Sequence, residues 1–75
     1  MPRYHFHIQE NGCLIKDEEG QEFLDREAVR KEAVETGASI ARDAFMSGSA
    51  SLVIVDVQRE DRTCLKVSIS LSVEE

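Results

Sequence analysis

One uninterrupted helical segment, Arg26 to Met46, stands between two pairs of short segments that alternate apolar and polar residues. A chain of 75 residues has one core to build, so this one helix has to cover one small sheet. Asp25 supplies an N-cap, Glu27 suits the positive end of the helix dipole, and Ser47-Gly48-Ser49 stops the run. Leu24 before the cap and Val29 within the helix have the spacing of a hydrophobic staple.

The flanking segments read as strands. Tyr4, Phe6 and Ile8 alternate with Arg3, His5, His7 and Gln9, the period of a half-buried strand. Asn11-Gly12 tolerates the positive φ angles of a tight turn, and Cys13 to Lys16 returns as a second strand. A two-residue turn pairs Ile8 with Ile15 and buries Ile15; a three-residue loop buries Leu14 instead, and both registers stay open. Ser51 to Val57 is apolar on both faces and belongs inside a sheet. Gln58 to Arg62 lacks Gly, which predicts a four- or five-residue loop. In Thr63 to Val73, Leu65, Val67, Ile69, Leu71 and Val73 face one way, and Cys64, Lys66, Ser68, Ser70 and Ser72 the other.

The expectation is a single α+β domain over residues 1–75, ordered β-β-α-β-β. Its four-stranded antiparallel sheet carries the helix on one face. The doubly apolar third strand inside, beside the first, gives spatial order 2-1-3-4; order 2-1-4-3 is the alternative. The open face then presents Arg3, His5, His7 and Lys66, with either Leu52 and Ile54 or Val53, Val55 and Val57.

The helix has more apolar surface than one sheet needs. At about 100° per residue, Val29, Ala33, Thr36, Gly37, Ile40 and Ala44 share one stripe. Gly37 in mid-helix costs roughly 1 kcal/mol relative to Ala, which close approach of helix to sheet offsets. Val34, Ala38, Ala41 and Phe45 make a second ridge that needs cover of its own, either under a sheet edge or against a second copy.

Composition narrows function. The hydrophobic share of 41% is ordinary, no apolar run reaches membrane-spanning length, and the opening lacks a signal-peptide core. The expected location is the cytoplasm, where Cys13 and Cys64 stay reduced. The net charge of −6 concentrates in residues 10 to 35, with nine acids against four bases. Such a field repels phosphate backbones, so nucleic acid is not an expected partner. His5 and His7, at i and i+2, lack a third metal ligand at fixed spacing. Asp17-Glu18-Glu19-Gly20 lacks the alternating oxygens of a calcium loop and reads as a solvated acidic turn. No Ser, His or Cys has a base and an orienting group implied by spacing.

Several segments together resemble a family of small, mostly alphaproteobacterial proteins of unknown function that open M-P-R-Y-F-F-H and carry D-E-E-G. Met1-Pro2-Arg3-Tyr4-His5-Phe6-His7 matches except at His5, and Asp17-Glu18-Glu19-Gly20 matches in full. Phe23-Leu24-Asp25 keeps the cap of the family's L-P-D helix start, and Val55-Asp56-Val57 is similar to its closing segment without the later Gly. The resemblance implies a stand-alone cytoplasmic bacterial domain and no activity, cofactor or site residue. Because the family pattern has Phe at position 5, His7 is the better single metal candidate.

The reading is therefore a small non-enzymatic interaction domain without cofactor. It self-associates as a homodimer through the helix 26–46 surface (Val34, Ala38, Ala41, Phe45) or the strand 63–73 edge. Arg3, His5 and His7 are further contact residues, an unidentified protein being the other partner, with no membrane contact. The alternative is a metal- or small-ligand-binding module using His7 and the acidic turn 17–19.

Overall fold

The computed structural model describes residues 2–75; Met1 of the opening motif lies outside them. The elements are β1 (Arg3–Glu10), β2 (Cys13–Ile15), β3 (Gln21–Glu22), α1 (Arg26–Ser47), β4 (Leu52–Arg59) and β5 (Arg62–Ser70). All pairings are antiparallel, in the order β2-β1-β4-β5, with β3 on β1. This is the α+β fold expected, in the first of the two strand orders. The two-residue β3 is an addition, carried by a short bridge from Gln21 and Glu22 to Tyr4 and Arg3.

The core forms where α1 crosses β4. Val53, Val55 and Val57 are fully buried, as are Val29 and Ala33 facing them. Each such valine contributes roughly 2 kcal/mol relative to exposure. Gly37 explains the close fit, because a Cβ there would lie 3.1 Å from both Val55 Cγ2 and Ile69 Cδ1. The helix ends are closed as the residues imply. Asp25 Oδ1 accepts the Ala28 amide at 2.8 Å. Gly48, left-handed at φ 75°, ends the helix with bonds from its own N–H to Phe45 O and from Ser49 N–H to Ala44 O.

Helix burial differs from the expected stripe. Val29, Ala33, Gly37, Ala41 and Ala44 are buried, while Thr36 and Ile40 are half-buried. The helix is rotated towards Ala41, and Phe45 packs against the core as well. The second ridge is thus split, with only Val34 and Ala38 exposed. Leu24 is 81% exposed and staples nothing. Phe23 takes the place expected of it, its ring 6.1 Å from Tyr4 and 5.6 Å from Phe6.

Turn and edge geometry supply the remaining differences. Asn11 and Gly12, at φ 48° and 80°, form the two-residue turn, and Ile8 pairs with Ile15. Ile15 nevertheless stays 58% exposed, because the helix lies over β4 and β5 and does not reach β2. The β4–β5 connection is shorter than the predicted loop. Arg59 pairs with Arg62 across Glu60-Asp61, both at positive φ (54° and 64°). One residue too many for that turn is absorbed by a bulge, since Val57 faces Leu65 and Gln58 faces Thr63. The extra residue is Cys64, which leaves the polar face and bonds through its thiol to Val57 O at 3.5 Å. β5 ends at Ser70 and not at Val73, because its partner β4 begins at Leu52; a bond from Leu71 N–H to Ser51 O is the last rung. Leu71 and Val73 are exposed.

Two acidic side chains in the left-handed region cost about 1 kcal/mol each. Replacing Glu60-Asp61 by Asn-Gly is expected to raise stability by about 1 kcal/mol or more. The check is a higher urea midpoint at unchanged slope.

Candidate functional site

Two features of the sheet stand apart from its core: a clasp on one edge of β1 and the bare outer edge of β5. The clasp begins with a gap. β2 pairs with the end of β1 and β3 with its start, so the Phe6 amide between them has no strand partner. Asp17 fills the gap. One carboxylate oxygen accepts the Phe6 N–H at 3.1 Å and the other accepts the Gly20 N–H at 3.0 Å.

The backbone of Asp17 is gripped by the two histidines. Its carbonyl can only accept, so His5 Nδ1, 2.8 Å away, donates. Its amide can only donate, so His7 Nδ1 accepts at 3.1 Å. The rings stack with centroids 6.2 Å apart, and in their uncharged forms these two bonds require opposite tautomers. His5 is left with a bare Nε2, whereas His7 carries its proton there. Metal ligation through His7 Nε2 requires that proton to move to Nδ1, where the Asp17 amide already sits. His7 is therefore a poorer metal ligand than its neighbour, the reverse of the sequence expectation. Among the described residues, no group of three His, Cys, Asp or Glu is placed to hold a metal ion.

Arg3 completes the clasp. Its guanidinium donates to Glu19 O at 2.7 Å and lies 3.6 Å from the Glu22 carboxylate. Gly20 turns the chain at φ 72°, and a Cβ there would come within 2.9 Å of Tyr4 O. Only glycine fits. Arg3, His5 and His7 do share the open face, but each is engaged with the turn beside it. Asp17 is also more than the solvated residue expected: burial raises its pKa, yet the Phe6 and Gly20 amides, helped by the charge of His5 and His7, lower it overall.

Beside the clasp lies an open cleft of about 460 Å³, with His5, His7, Lys16, Asp17, Asp56 and Asp61 among its walls. Asp56 is already occupied, accepting Thr63 Oγ1 at 2.9 Å and Gln58 Nε2 at 3.3 Å. Across the open face His7 faces Asp56, which faces Lys66, and the apolar members are Leu52 and Ile54.

The other edge belongs to β5. Leu71 N–H points inward to Ser51 O, while the Cys64 carbonyl points outward and accepts from the Arg26 guanidinium. Strand groups alternate. Lys66, Ser68 and Ser70 therefore turn both N–H and C=O away from β4, and no backbone partner meets them among the described residues. Leu65, Val67 and Ile69 along the same edge are half-buried.

The family model described as a domain of unknown function, DUF6894, matches residues 3–70, nearly the whole chain. The chain belongs to the DUF6894 family. No curated protein and no solved structure matches it. The matched DUF6894 span contains the clasp and β5, and it stops at the residue where β5 ends. No helix among the described residues is long and apolar enough to cross a membrane.

Sequence reasoning placed strand 63–73 at an edge of the sheet, where the structure has it, but missed the plugging role of Asp17 and which β5 residues turn their amides outward. The spacing of Asp17 to Gly20 hinted at the first, since a side chain three residues before a glycine can close a local turn. Nothing local signals the second.

Gly12 and Gly20 give a matched test. Both have positive φ, but a Cβ at Gly12 meets nothing within 4 Å. Gly12→Ala is expected to cost about 1 kcal/mol and Gly20→Ala at least about 3 kcal/mol, read from chemical denaturation. The lowered pKa of Asp17 stabilises the fold above its ordinary value of 3.8 and is lost as pH falls through the folded value. Asp17→Asn should cost about 1–2 kcal/mol at pH ~7, with the gap to the parent narrowing below pH ~4 in paired unfolding curves.

Proposed function

We propose that this DUF6894 domain is a non-enzymatic cytoplasmic interaction module that self-associates as a homodimer through the outer edge of β5. The observation that carries this reading is the contrast between the two edges of the sheet. On the β1 side the strands are short and the gap between them is plugged by Asp17. On the β5 side Lys66, Ser68 and Ser70 offer unpaired backbone groups beside a half-covered apolar row. Natural sheets blunt such an edge or pair it. The helix surface is the weaker contact, because Ala41 and Phe45 already serve the core and leave Val34 and Ala38 alone. A catalytic role has no support from the open face, whose histidines and Asp56 are committed to partners within the chain.

Sedimentation equilibrium is expected to give a dimer, unchanged in Ala38→Glu. A monodisperse monomer at high micromolar concentration defeats the proposal, and loss of the dimer in Ala38→Glu moves the contact to the helix. Phe45→Asp is unsuited to the purpose because it attacks the core.

The cleft beside His5 and His7 supports a second reading, a small-ligand or metal module, with His5 Nε2 as its free donor atom. Calorimetric titration with zinc, nickel and calcium tests it, and absence of heat at millimolar metal dismisses the metal form.

A further inference from the structure

The turn between β1 and β2 holds the single asparagine of the chain, Asn11, directly before Gly12. We infer that this pair is a site of spontaneous covalent modification in the folded protein. Asn11 closes on Gly12 as a cyclic imide, loses ammonia, and reopens as an aspartyl or isoaspartyl residue. The isoaspartyl product releases β2 from the sheet. The inference is independent of the self-association proposed above.

Both reacting groups are open to solvent. The electrophile is the side-chain carboxamide of Asn11, an exposed residue. No hydrogen bond holds that carboxamide among the described residues. The nucleophile is the Gly12 nitrogen, which stands outside both strands and has no backbone acceptor among the described residues. A Cβ at Gly12 would meet nothing within 4 Å, so neither its own side chain nor a neighbour screens that nitrogen. Solvent base takes the Gly12 N–H proton, the nitrogen attacks Asn11 Cγ, and the Cγ–Nδ2 bond breaks as ammonia leaves. The two groups belong to adjacent residues, so a five-membered ring closes without an encounter between molecules. Water then opens the ring at either carbonyl. Cleavage of the bond to Cγ restores the ordinary backbone with a side-chain carboxylate. Cleavage at the backbone carbonyl leaves the chain running through Cγ.

The fold resists this reaction only weakly. Asn11 and Gly12 hold left-handed backbone at φ 48° and 80° in the closed turn. Ring closure brings Cβ and the Gly12 nitrogen into line about the Asn11 Cα–C bond, which turns Asn11 out of that conformation. The turn must therefore open first. β2 has three residues, all exposed, and the helix does not reach it, so it opens without unfolding the core. The two products then differ. An aspartyl residue tolerates the same turn. An isoaspartyl residue lengthens the backbone by one carbon, so two residues no longer close Glu10 on Cys13, and the Ile8–Ile15 pairing is lost. Residues 13–16 lead directly into Asp17, so the clasp loses its anchor on that side.

Incubation of the full chain in neutral buffer tests the site, with intact mass, ion exchange and peptide mapping as readouts. Conversion replaces –NH2 by –OH and adds a negative charge, and the single asparagine makes the assignment direct. The folded parent is expected to convert within about a hundredfold of the rate in the urea-unfolded chain, because only β2 has to open. Asn11→Gln, which requires a six-membered ring, and Gly12→Ala, which crowds the nitrogen, should each be slower by at least about tenfold. In the isolated isoaspartyl protein the Ile8 and Ile15 amides should exchange hydrogen at least about tenfold faster than in the parent, with the amides of α1 unchanged. Protection of the folded parent beyond about a hundredfold overturns the site, since conversion then waits on global unfolding. Unchanged exchange at Ile8 and Ile15 in the isoaspartyl protein overturns the release of β2.

Discussion

The contact between Gly37 and Val55 governs the placement of everything else. A helix of 22 residues rests on three fully buried valines of β4, and it comes that close because small residues line its inner face. Ala33, Gly37, Ala41 and Ala44 trade side-chain volume for proximity, so the valines and Ile69 fill the space. The gain in packing offsets the roughly 1 kcal/mol that glycine costs within a helix. The same choice restricts coverage. A helix seated over β4 and β5 leaves β2 bare, which is why Ile15 is on the correct face and still in solvent.

The β1 edge is resolved by electrostatics where packing does not reach. A strand that loses its partner in mid-length must satisfy its amides by other means. Asp17 does this for Phe6, and its own backbone is held by His5 and His7. One residue thereby unites the opening motif and the acidic turn into a single structural unit. The pairing of R-Y-x-F-H with D-E-E-G has a mechanical explanation that needs no ligand. Within this DUF6894 chain, two conspicuous histidines are first of all components of a fold.

A sheet of this width has two edges, and they differ sharply. The clasp and short strands close one, while the other runs through Lys66, Ser68 and Ser70 with backbone groups directed outward. The molecule is elongated, 47 × 22 × 16 Å, with a radius of gyration of 12.9 Å against about 11 Å for a compact chain of this length. A thin slab buries less of itself than a sphere, so the proposed self-association adds burial that the single slab lacks.

The sequence by itself determined the order of the four main strands and the helix, the Asp25 cap and Gly48 stop, the central place of β4, and the tight turn at Asn11-Gly12, though not the short β3. Each depends on residues within a few positions of one another, through periodicity, capping or turn chemistry. Tertiary structure decided the rest. Whether Ala41 and Phe45 served the core or a partner depended on the rotation of the helix over the sheet, which no helical pattern specifies when two ridges are apolar. The division of Gln58 to Arg62 into a two-residue turn and a bulge at Cys64 depended on keeping Leu65, Val67 and Ile69 on the helix side. Asp17 took its role from an amide eleven positions away. That β5 lies at an edge followed from the strand order already expected, but which of its residues turn their backbone outward was decided by its bonding to β4, because an unpaired backbone carries no mark in the residues that bear it.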